Sequence, residues 1–505
     1  MVLKVGLTKF ILPVLLILSM ILLNTLMYFS HQIDMYWMFN SDVALIPAMY
    51  KDLIINNGNY SLWHLPAAPY LFPDVFLFFC AIVLSTSYYV AAWLFFTFQI
   101  ILILYAVYLI NQLFFSKLDS LKLSTIVVAL LFIIPTLASQ LIYFSVFHVG
   151  EFIVSLFSIY FVMKIIVTKE NDYLSYVFLI LLSALTLMSD TLYLLHFILP
   201  TLIAISLLFI LKKIKFKKAL LILLAICLSV FISYLLYKLF IINPNKPKIS
   251  LQASDFAAKF SSLYAILLVS FKKHTISTIL IVFVYIASLV FIIVNNKVSK
   301  ISIYKFIIFY LLAMFLGNIL AAILLENNIA YRYMIPLFLL PIITLPLILN
   351  ILTNNKVARA KNSLSVILFV LIGLFSYKSY DIFTHSKIQS EFYPEEVKCF
   401  DDFIDETHSK FGVSGYWMVK KLFILSKHDD VTIGQILFDL NPYKWVSTDN
   451  WYQDNYNFFI IHHSASVVHR LDVKIISEKV GEPDKIYNCP KIDILYYKNG
   501  FKLDT

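Results

Sequence analysis

Charged residues are scarce in this 505-residue chain, and their scarcity limits the kind of protein it can be. Asp, Glu, Lys and Arg make up 14% of the sequence, whereas apolar and aromatic residues make up 61%. Ordinary soluble domains carry about 25% charged residues and about 45–50% apolar ones. The composition therefore argues against a wholly soluble protein.

Glycine is also scarce, and the familiar motifs of soluble enzymes are missing. The chain has ten glycines, no visible inverted or tandem repeat, and no nucleophile elbow, phosphate-binding loop or nucleotide fingerprint. Secondary transporters usually bind substrate near the bilayer midplane, using charged groups or helices broken by Gly or Pro. The sequence offers little of this, yet a lipid or solute transporter remains an alternative.

Cysteine is limited to four residues. Two of them, Cys399 and Cys489, bracket the C-terminal region and could form a disulfide if that region faces an oxidising compartment. Their separation in sequence says nothing about their distance in space, so the sequence leaves the pairing open.

Long apolar runs are what the chain has in abundance. Each is about 20 residues long, the length of helix that crosses a bilayer core of about 30 Å. The runs cover residues 9–29, 89–113, 123–146, 148–167, 171–188, 190–212, 218–242, 275–295, 302–325, 330–351 and 363–381. We therefore predict an α-helical polytopic membrane domain over residues 1–381, with about eleven transmembrane helices, and a small soluble α/β domain over residues 382–505.

The distribution of lysine indicates how these helices are oriented. The formal net charge is +10, and most loop lysines fall in alternate connections between the apolar runs. Cytoplasmic loops are enriched in Lys and Arg, so the charge reflects topology and does not indicate a nucleic-acid partner. We predict a multi-pass protein of the cytoplasmic membrane with a cytoplasmic N-terminus and an extracytoplasmic C-terminal domain.

One apolar stretch, residues 73–86, does not fit the series. It is about 14 residues long, below the usual minimum of about 17 for a spanning helix. Counting it as a span would give twelve spans and place the lysine-rich loops outside. We therefore predict a juxtamembrane or re-entrant helix with both ends on the outer side. An amphipathic surface helix is predicted over residues 255–273.

Ionisable and polar residues of the membrane domain gather at one level. By the topology above they all lie at or near the outer face. Asp34, Asp42 and Asp74 lie in the first loop, which connects the first two runs (residues 30–88). The others lie at the starts of later runs: His148, Glu151, Asp190, His196, Tyr331 and Arg332. Ionisable groups in a membrane are costly and usually functional. Their collection on one face favours a membrane enzyme with a single outward-facing site.

Two motifs of the first loop and two later motifs carry a resemblance to a known family. The stretches are NSDVALIPAMYKDL from residue 40, PYLFPD at 69–74, SDTLYLLHFILP at 189–200 and RYMIP at 332–336. With this order of elements, the chain resembles the C-fold (GT-C) superfamily of integral membrane glycosyltransferases. The resemblance implies a polyprenyl-phosphate-linked sugar donor, a cell-envelope glycan, lipid or protein acceptor, and chemistry at the outer face of the membrane.

The resemblance also implies roles for individual residues. Asp42 matches the catalytic base that deprotonates the acceptor hydroxyl, with Asp34 as second candidate. Asp42 could instead cap a helix beginning at Val43. Arg332, with Tyr331, matches a grip on the donor phosphate, but it could also be an interfacial anchor.

The remaining polar residues are open to two interpretations. His148 and Glu151 are spaced i, i+3 and would share a helix face. With Asp190 they could bind Mg²⁺ or Mn²⁺, which some members of the superfamily require. Alternatively they line an outer cavity, together with His196 and Asp74, as hydrogen-bonded wall residues.

The C-terminal region is predicted to be a small α/β domain. Helical periodicity covers residues 394–410 and 416–427, and VTIGQILF, NFFIIHH and KIDILYYK have the pattern of strands. Its histidines, His462, His463 and His469, lack partners at customary zinc spacing. The resemblance implies that such a domain shapes the acceptor side and contributes only indirectly to catalysis. A non-catalytic membrane scaffold with the same fold remains a further alternative.

Overall fold

The computed structural model describes residues 2–85, 87–168, 172–244, 256–294, 301–324, 330–353, 361–463 and 470–503. Its first part is a body of α-helices that follow the apolar runs. The helices are α1 (Val2–Phe29), α2 (Met35–Met38), α3 (Leu45–Tyr50), α4 (Phe76–Val83), α5 (Tyr88–Gln112), α6 (Lys117–Ile133), α7 (Val149–Val167), α8 (Tyr173–Ser189), α9 (Leu199–Ile210), α10 (Phe216–Phe240), α11 (Phe256–Lys273), α12 (Thr275–Val294), α13 (Ile301–Leu324), α14 (Ile335–Leu352) and α15 (Lys361–His385).

Eight helices of the described chain are long and apolar enough to cross a membrane, and shorter apolar helices cover residues 71–83, 173–189 and 194–210. Helices α7 and α14 are the most buried, whereas α1, α10 and α15 carry rows of exposed Leu, Ile, Val and Phe side chains. Soluble proteins rarely expose apolar surface on this scale. The body is therefore that of a polytopic, membrane-embedded helical protein.

The helix predicted over residues 123–146 ends early. Helix α6 stops at Ile133, and Ile134 leaves helical geometry at φ −117° and ψ 70°, because it precedes Pro135 and the proline ring disfavours the α region there. A 3₁₀ turn at Ser139–Tyr143 follows. Residues 134–148 thus form an irregular loop and do not continue the helix.

The short apolar stretch in the first loop forms a π turn (Leu71–Val75) and α4. At its start, the Phe72 amide donates to Ser189 Oγ at 2.8 Å. Near its end, the Tyr50 ring contacts the rings of Phe79 and Tyr88. The start of this stretch therefore contacts the end of α8, and Phe79 of α4 contacts α3.

The C-terminal region is a mixed α/β unit. It contains α16 (Glu395–Thr407), α17 (Tyr416–Leu425) and α18 (Val473–Val480). Its five-stranded sheet has the order β4-β3-β6-β8-β7, formed by β3 (Phe411–Gly415), β4 (Thr432–Ile436), β6 (Tyr456–His462), β7 (Lys485–Cys489) and β8 (Ile492–Phe501). Strand β3 is parallel to both neighbours, and β8 is antiparallel to both of its own. A disulfide between Cys399 and Cys489 joins α16 to β7.

The C-terminal unit packs on the first loop. A three-stranded sheet joins β1 (Trp63–Leu65) to β2 (Asn243–Pro244) and β5 (Ser447–Thr448). The buried Lys51 ammonium donates to the Phe423 carbonyl at 2.8 Å and pairs with Asp429 at 2.8 Å. The first loop, the end of α10 and the C-terminal unit therefore share one end of the body.

The lysine-rich connections contact one another through hydrogen bonds. Lys218 Nζ donates to the Ile165 carbonyl at 3.0 Å, and Ser302 Oγ donates to the Lys213 carbonyl at 2.7 Å. Each contact joins connections that the lysine pattern assigns to one side of the membrane. These hydrogen bonds therefore bring described residues of three lysine-rich connections together.

Candidate functional site

Asp42 lies in the first loop where the body meets the C-terminal unit. The turn before α3 is closed by the Asn40 side chain, which accepts from the Val43 amide at 2.9 Å, and Ala44 is the N-cap. Asp42 therefore does not cap a helix at Val43. Its carboxylate is 28% exposed, accepts a hydrogen bond from the Tyr416 hydroxyl through Oδ1 and places Oδ2 3.6 Å from Arg332 Nη1.

Arg332 supplies the cation of this site. It belongs to a 3₁₀ turn (Tyr331–Met334) that precedes α14, whose second residue, Pro336, suits a helix start. The guanidinium lies over the rings of Phe147 and Tyr333, at 5.6 and 5.2 Å from their centroids, and Nη2 donates to the Tyr333 hydroxyl at 3.3 Å. Aromatic rings therefore pack against the positive charge. The side chain is 37% exposed, so the charge remains accessible.

Tyr416 and Lys420 come from α17 and extend the site into the C-terminal unit. Burial and the Asp42 carboxylate raise the pKa of the Tyr416 phenol well above its usual value, so its hydroxyl is protonated and donates. The Lys420 ammonium lies 4.4 Å from the Tyr416 ring centroid and donates to Gln435 Oε1 at 2.8 Å. Burial lowers the pKa of Lys420 to about 7, although Asp42 acts in the opposite direction.

His148 and Asp190 form a buried pair deeper in the body. His148 Nδ1 lies 2.5 Å from Asp190 Oδ2, and His148 Nε2 lies 3.3 Å from the Tyr70 hydroxyl. His148 has a left-handed backbone (φ 65°) and precedes α7 as its N-cap. It therefore does not share a helix face with Glu151, contrary to the prediction from their spacing.

Glu151 pairs with His196 instead. Glu151 Oε2 lies 2.8 Å from His196 Nδ1, and its Oε1 accepts from the Ser155 hydroxyl at 2.8 Å. His196 Nε2 lies 3.0 Å from the Tyr333 carbonyl, which can only accept, so this nitrogen carries a proton and donates. The pair thus fixes the backbone of the residue that follows Arg332.

Asp74 is enclosed beside these two pairs. Its side chain is 2% exposed, and its Oδ1 lies 3.4 Å from the Val146 amide, which donates to it. A Cβ atom at Gly150 would lie 2.1 Å from Asp74 Oδ2. Glycine at the first turn of α7 therefore allows the carboxylate to approach the helix closely.

Asp34 and Tyr331 lie outside this cluster of contacts. Asp34 is the N-cap of α2 and accepts from the amides of Tyr36 and Trp37 at 3.0 and 3.2 Å. The Tyr331 hydroxyl accepts from Gln140 Nε2 at 3.2 Å. Of the residues predicted from sequence, Asp42 and Arg332 are in contact with each other, whereas His148, Glu151, Asp190, His196 and Asp74 form the buried layer beneath them.

The sequence prediction missed the residues that join these layers. Tyr333 is next to Arg332, and its ring contacts the His148 ring at 5.4 Å. Phe147 immediately precedes His148, and the Arg332 guanidinium lies over its ring. For Tyr416 the sequence indicated only that it begins a predicted helix. Its role in the site was not predictable, because its partner Asp42 is 374 residues away in sequence.

The described side chains do not assemble a set of metal ligands. Among the residues with described positions, no three His, Cys, Asp or Glu side chains are arranged to hold an ion. His148–Asp190 and Glu151–His196 are separate pairs whose members are hydrogen-bonded to each other. His463 lies 3.0 Å from Asp493, and His469 lies outside the described residues.

No protein-family model matches this sequence, and no curated protein gives a significant match to it. Its function is therefore inferred from the site itself.

Proposed function

We propose that this protein is a membrane glycosyltransferase that transfers a sugar from a polyprenyl-phosphate-linked donor to a hydroxyl of a cell-envelope glycan, lipid or protein. One observation carries the proposal: a partly exposed carboxylate, Asp42, lies 3.6 Å from a partly exposed guanidinium, Arg332, where the helical body meets the C-terminal unit. Sugar transfer from a phosphate uses both kinds of group, one as a base for the acceptor hydroxyl and one to stabilise the leaving phosphate.

In the proposed reaction, Asp42 accepts the proton of the acceptor hydroxyl while that oxygen attacks the anomeric carbon of the sugar. A bond forms between the acceptor oxygen and the anomeric carbon, and the bond from that carbon to the phosphate oxygen breaks. The electron pair leaves with the lipid phosphate. Arg332 stabilises the charge on that phosphate, because its forked donors match phosphate oxygens.

The proposed membrane arrangement has eleven spans. It counts the eight long apolar helices together with α6, α8 and the helix over residues 194–210. The lysine-rich connections then face the cytoplasm, and the first loop and C-terminal unit face outside. The disulfide between Cys399 and Cys489 supports this orientation, because disulfides persist in oxidising compartments.

The test is transfer by purified protein in lipid nanodiscs, offered a panel of polyprenyl-phosphate-linked hexoses and pentoses together with envelope glycan and lipid acceptors. Release of polyprenyl phosphate is measured by chromatography. With the donor that supports turnover, Asp42→Asn should lower kcat by at least about a hundredfold, because an amide cannot accept the proton and general bases contribute about 10²–10⁴-fold.

Asp34→Asn is the matched control. Asparagine caps helices as well as aspartate does, so this variant should fold and turn over like wild type. If Asp42→Asn retains wild-type kcat, Asp42 is not the base. If wild-type protein releases no polyprenyl phosphate from any donor, the glycosyltransferase proposal is replaced by the scaffold or transporter alternative.

A further inference from the structure

The two oxygens of the Asp42 carboxylate have different partners, and the partners come from different parts of the chain. Oδ1 accepts from Tyr416, the first residue of α17 in the C-terminal unit, and Oδ2 faces Arg332 of the helical body. The hydrogen bond from the Tyr416 hydroxyl to Asp42 therefore joins the C-terminal unit to the helical body at the centre of the proposed site. Its functional significance rests on the proposed function, in which Arg332 binds the donor phosphate.

The contact between Asp42 and Arg332 is looser than a normal charged hydrogen bond. Charge-assisted N–H···O bonds are about 2.7–2.9 Å long, whereas Nη1 and Oδ2 are 3.6 Å apart. The guanidinium makes one hydrogen bond, to the Tyr333 hydroxyl at 3.3 Å, and its buried Nε has no hydrogen-bond partner among the described residues. A guanidinium has five donors, so Arg332 keeps capacity for an anion.

Tyr416 is held firmly enough to restrain the carboxylate. Its side chain is buried, and its carbonyl accepts from the Ser41 hydroxyl at 2.5 Å. Near the other end of α17, the Phe423 carbonyl accepts from Lys51. Both ends of α17 are thus fixed to the first loop, which carries Asp42 between Ser41 and Lys51.

We propose that Tyr416 is a positioning residue that holds Asp42 back from Arg332, so that the guanidinium stays open to a prenyl-linked phosphate. Without the phenol hydroxyl, the Asp42 carboxylate would turn to Arg332 and close the ion pair. Phosphate binding would then have to break that pair. The C-terminal unit in this way sets the affinity of a site in the helical body.

The experiment measures binding without turnover. Full-length protein in nanodiscs is titrated calorimetrically with farnesyl phosphate, with inorganic phosphate, and with farnesol as the phosphate-free control. The variants are Tyr416→Phe, Asp42→Asn and the double variant. Tyr393→Phe is the matched control, because its hydroxyl donates to Asp401 at 2.6 Å within the C-terminal unit, away from Arg332.

Tyr416→Phe should weaken farnesyl phosphate binding by about tenfold, the size expected for one hydrogen bond to a charged group. Asp42→Asn should bind at least as tightly as wild type, and adding Tyr416→Phe to it should cause no further loss. Tyr393→Phe should match wild type. Farnesyl phosphate should bind more tightly than inorganic phosphate, which supports a lipid source for the phosphate.

The inference is overturned if Tyr416→Phe binds within twofold of wild type, or if it loses affinity equally in the Asp42→Asn background. It is also overturned if wild type binds farnesyl phosphate no better than farnesol. If Tyr416→Phe does not fold, Asp42→Asn alone decides, and weaker binding by that variant counts against the inference. Absence of sugar transfer by wild type, with this cycle intact, would reject only the proposed function.

Discussion

At the scale of single residues, the most unusual group is the Lys420 ammonium. It is fully buried, hydrogen-bonded to an amide oxygen and not to a carboxylate, and burial lowers its pKa to about 7. Gln435 Nε2 donates to the Tyr443 and Trp445 carbonyls, which keeps its oxygen directed at Lys420. In the unfolded chain this lysine has its usual pKa of 10.5.

This difference predicts how stability depends on pH. Between about pH 7 and 10.5 the unfolded chain binds more protons at this position, so the free energy of unfolding rises with pH. Lys420→Met should therefore be more stable than wild type near pH 6.5, since it buries no charge. The stability advantage of the variant should shrink by about 3 kcal/mol by about pH 9.5, because the free energy of unfolding of wild type rises with pH. At that pH the variant gains little from removing the charge, so the cost of leaving the Gln435 oxygen unpaired, about 1–3 kcal/mol, becomes the larger effect.

The measurement is thermal unfolding of the full chain in detergent, followed by tryptophan fluorescence, because Trp417, Trp445 and Trp451 lie in the C-terminal unit. Lys410→Met is the control, since Lys410 forms an exposed ion pair with Asp430. Exposed pairs contribute about 0–1 kcal/mol. A pH-independent difference between Lys420→Met and wild type would contradict the prediction.

At the scale of elements, one of the contacts that dock α17 on the first loop is made by a buried lysine. Lys51 is 2% exposed, donates a hydrogen bond to the Phe423 carbonyl and forms an ion pair with Asp429. In the sequence this lysine lies nine positions after Asp42 in the first loop, and nothing in the sequence indicates its partner. A short helix in a loop has several possible packing surfaces, and side-chain periodicity does not choose among them.

Lys51→Met should loosen this docking. It removes the donor from a buried carbonyl, which costs about 1–3 kcal/mol, and leaves Asp429 without its cation. Trypsin should then cleave about tenfold faster after the exposed Lys387, in the stretch between α15 and α16 that has no helix or strand. The quantity measured is the rate at which two fragments appear on a non-reducing gel.

Lys410→Met serves as the matched control, because it removes an ion pair of the same type whose members are 58% and 62% exposed. It should be cleaved after Lys387 at the wild-type rate. Equal rates for Lys51→Met and Lys410→Met would mean that the buried lysine does not hold the C-terminal unit in place.

At the scale of the whole molecule, the proposed membrane arrangement makes a prediction about sidedness. In a background with Cys80→Ser and Cys227→Ser, and with the disulfide retained, single cysteines are introduced as Glu482→Cys and Lys217→Cys. Both positions are exposed. A membrane-impermeant maleimide should label Glu482→Cys in intact cells and Lys217→Cys only after permeabilisation, following the positive-inside rule.

The two positions control for each other, since they should exchange labelling behaviour if the orientation is reversed. Labelling of both cysteines in intact cells, or of neither, would be incompatible with a C-terminal unit and a lysine-rich group of connections on opposite sides of a membrane.

Local sequence patterns were sufficient to predict the helical membrane class, the short helix of the first loop and three strands of the C-terminal unit, β4, β6 and β8. These features depend on apolar length, lysine distribution and local periodicity, which are properties of neighbouring residues. The sequence also indicated Asp42 and Arg332, because ionisable groups at the edge of apolar runs are rare and costly.

The partners of the polar groups, in contrast, became apparent only from the tertiary structure. Asp42 meets Arg332 and Tyr416 across 290 and 374 positions of sequence, His148 pairs with Asp190, and Glu151 pairs with His196. Helix α6 ends before Pro135, so the loop after it can bring Phe147 and His148 to the site. Such pairings depend on how helices and domains pack, and the energy of a buried polar contact is set by partners that no local pattern specifies.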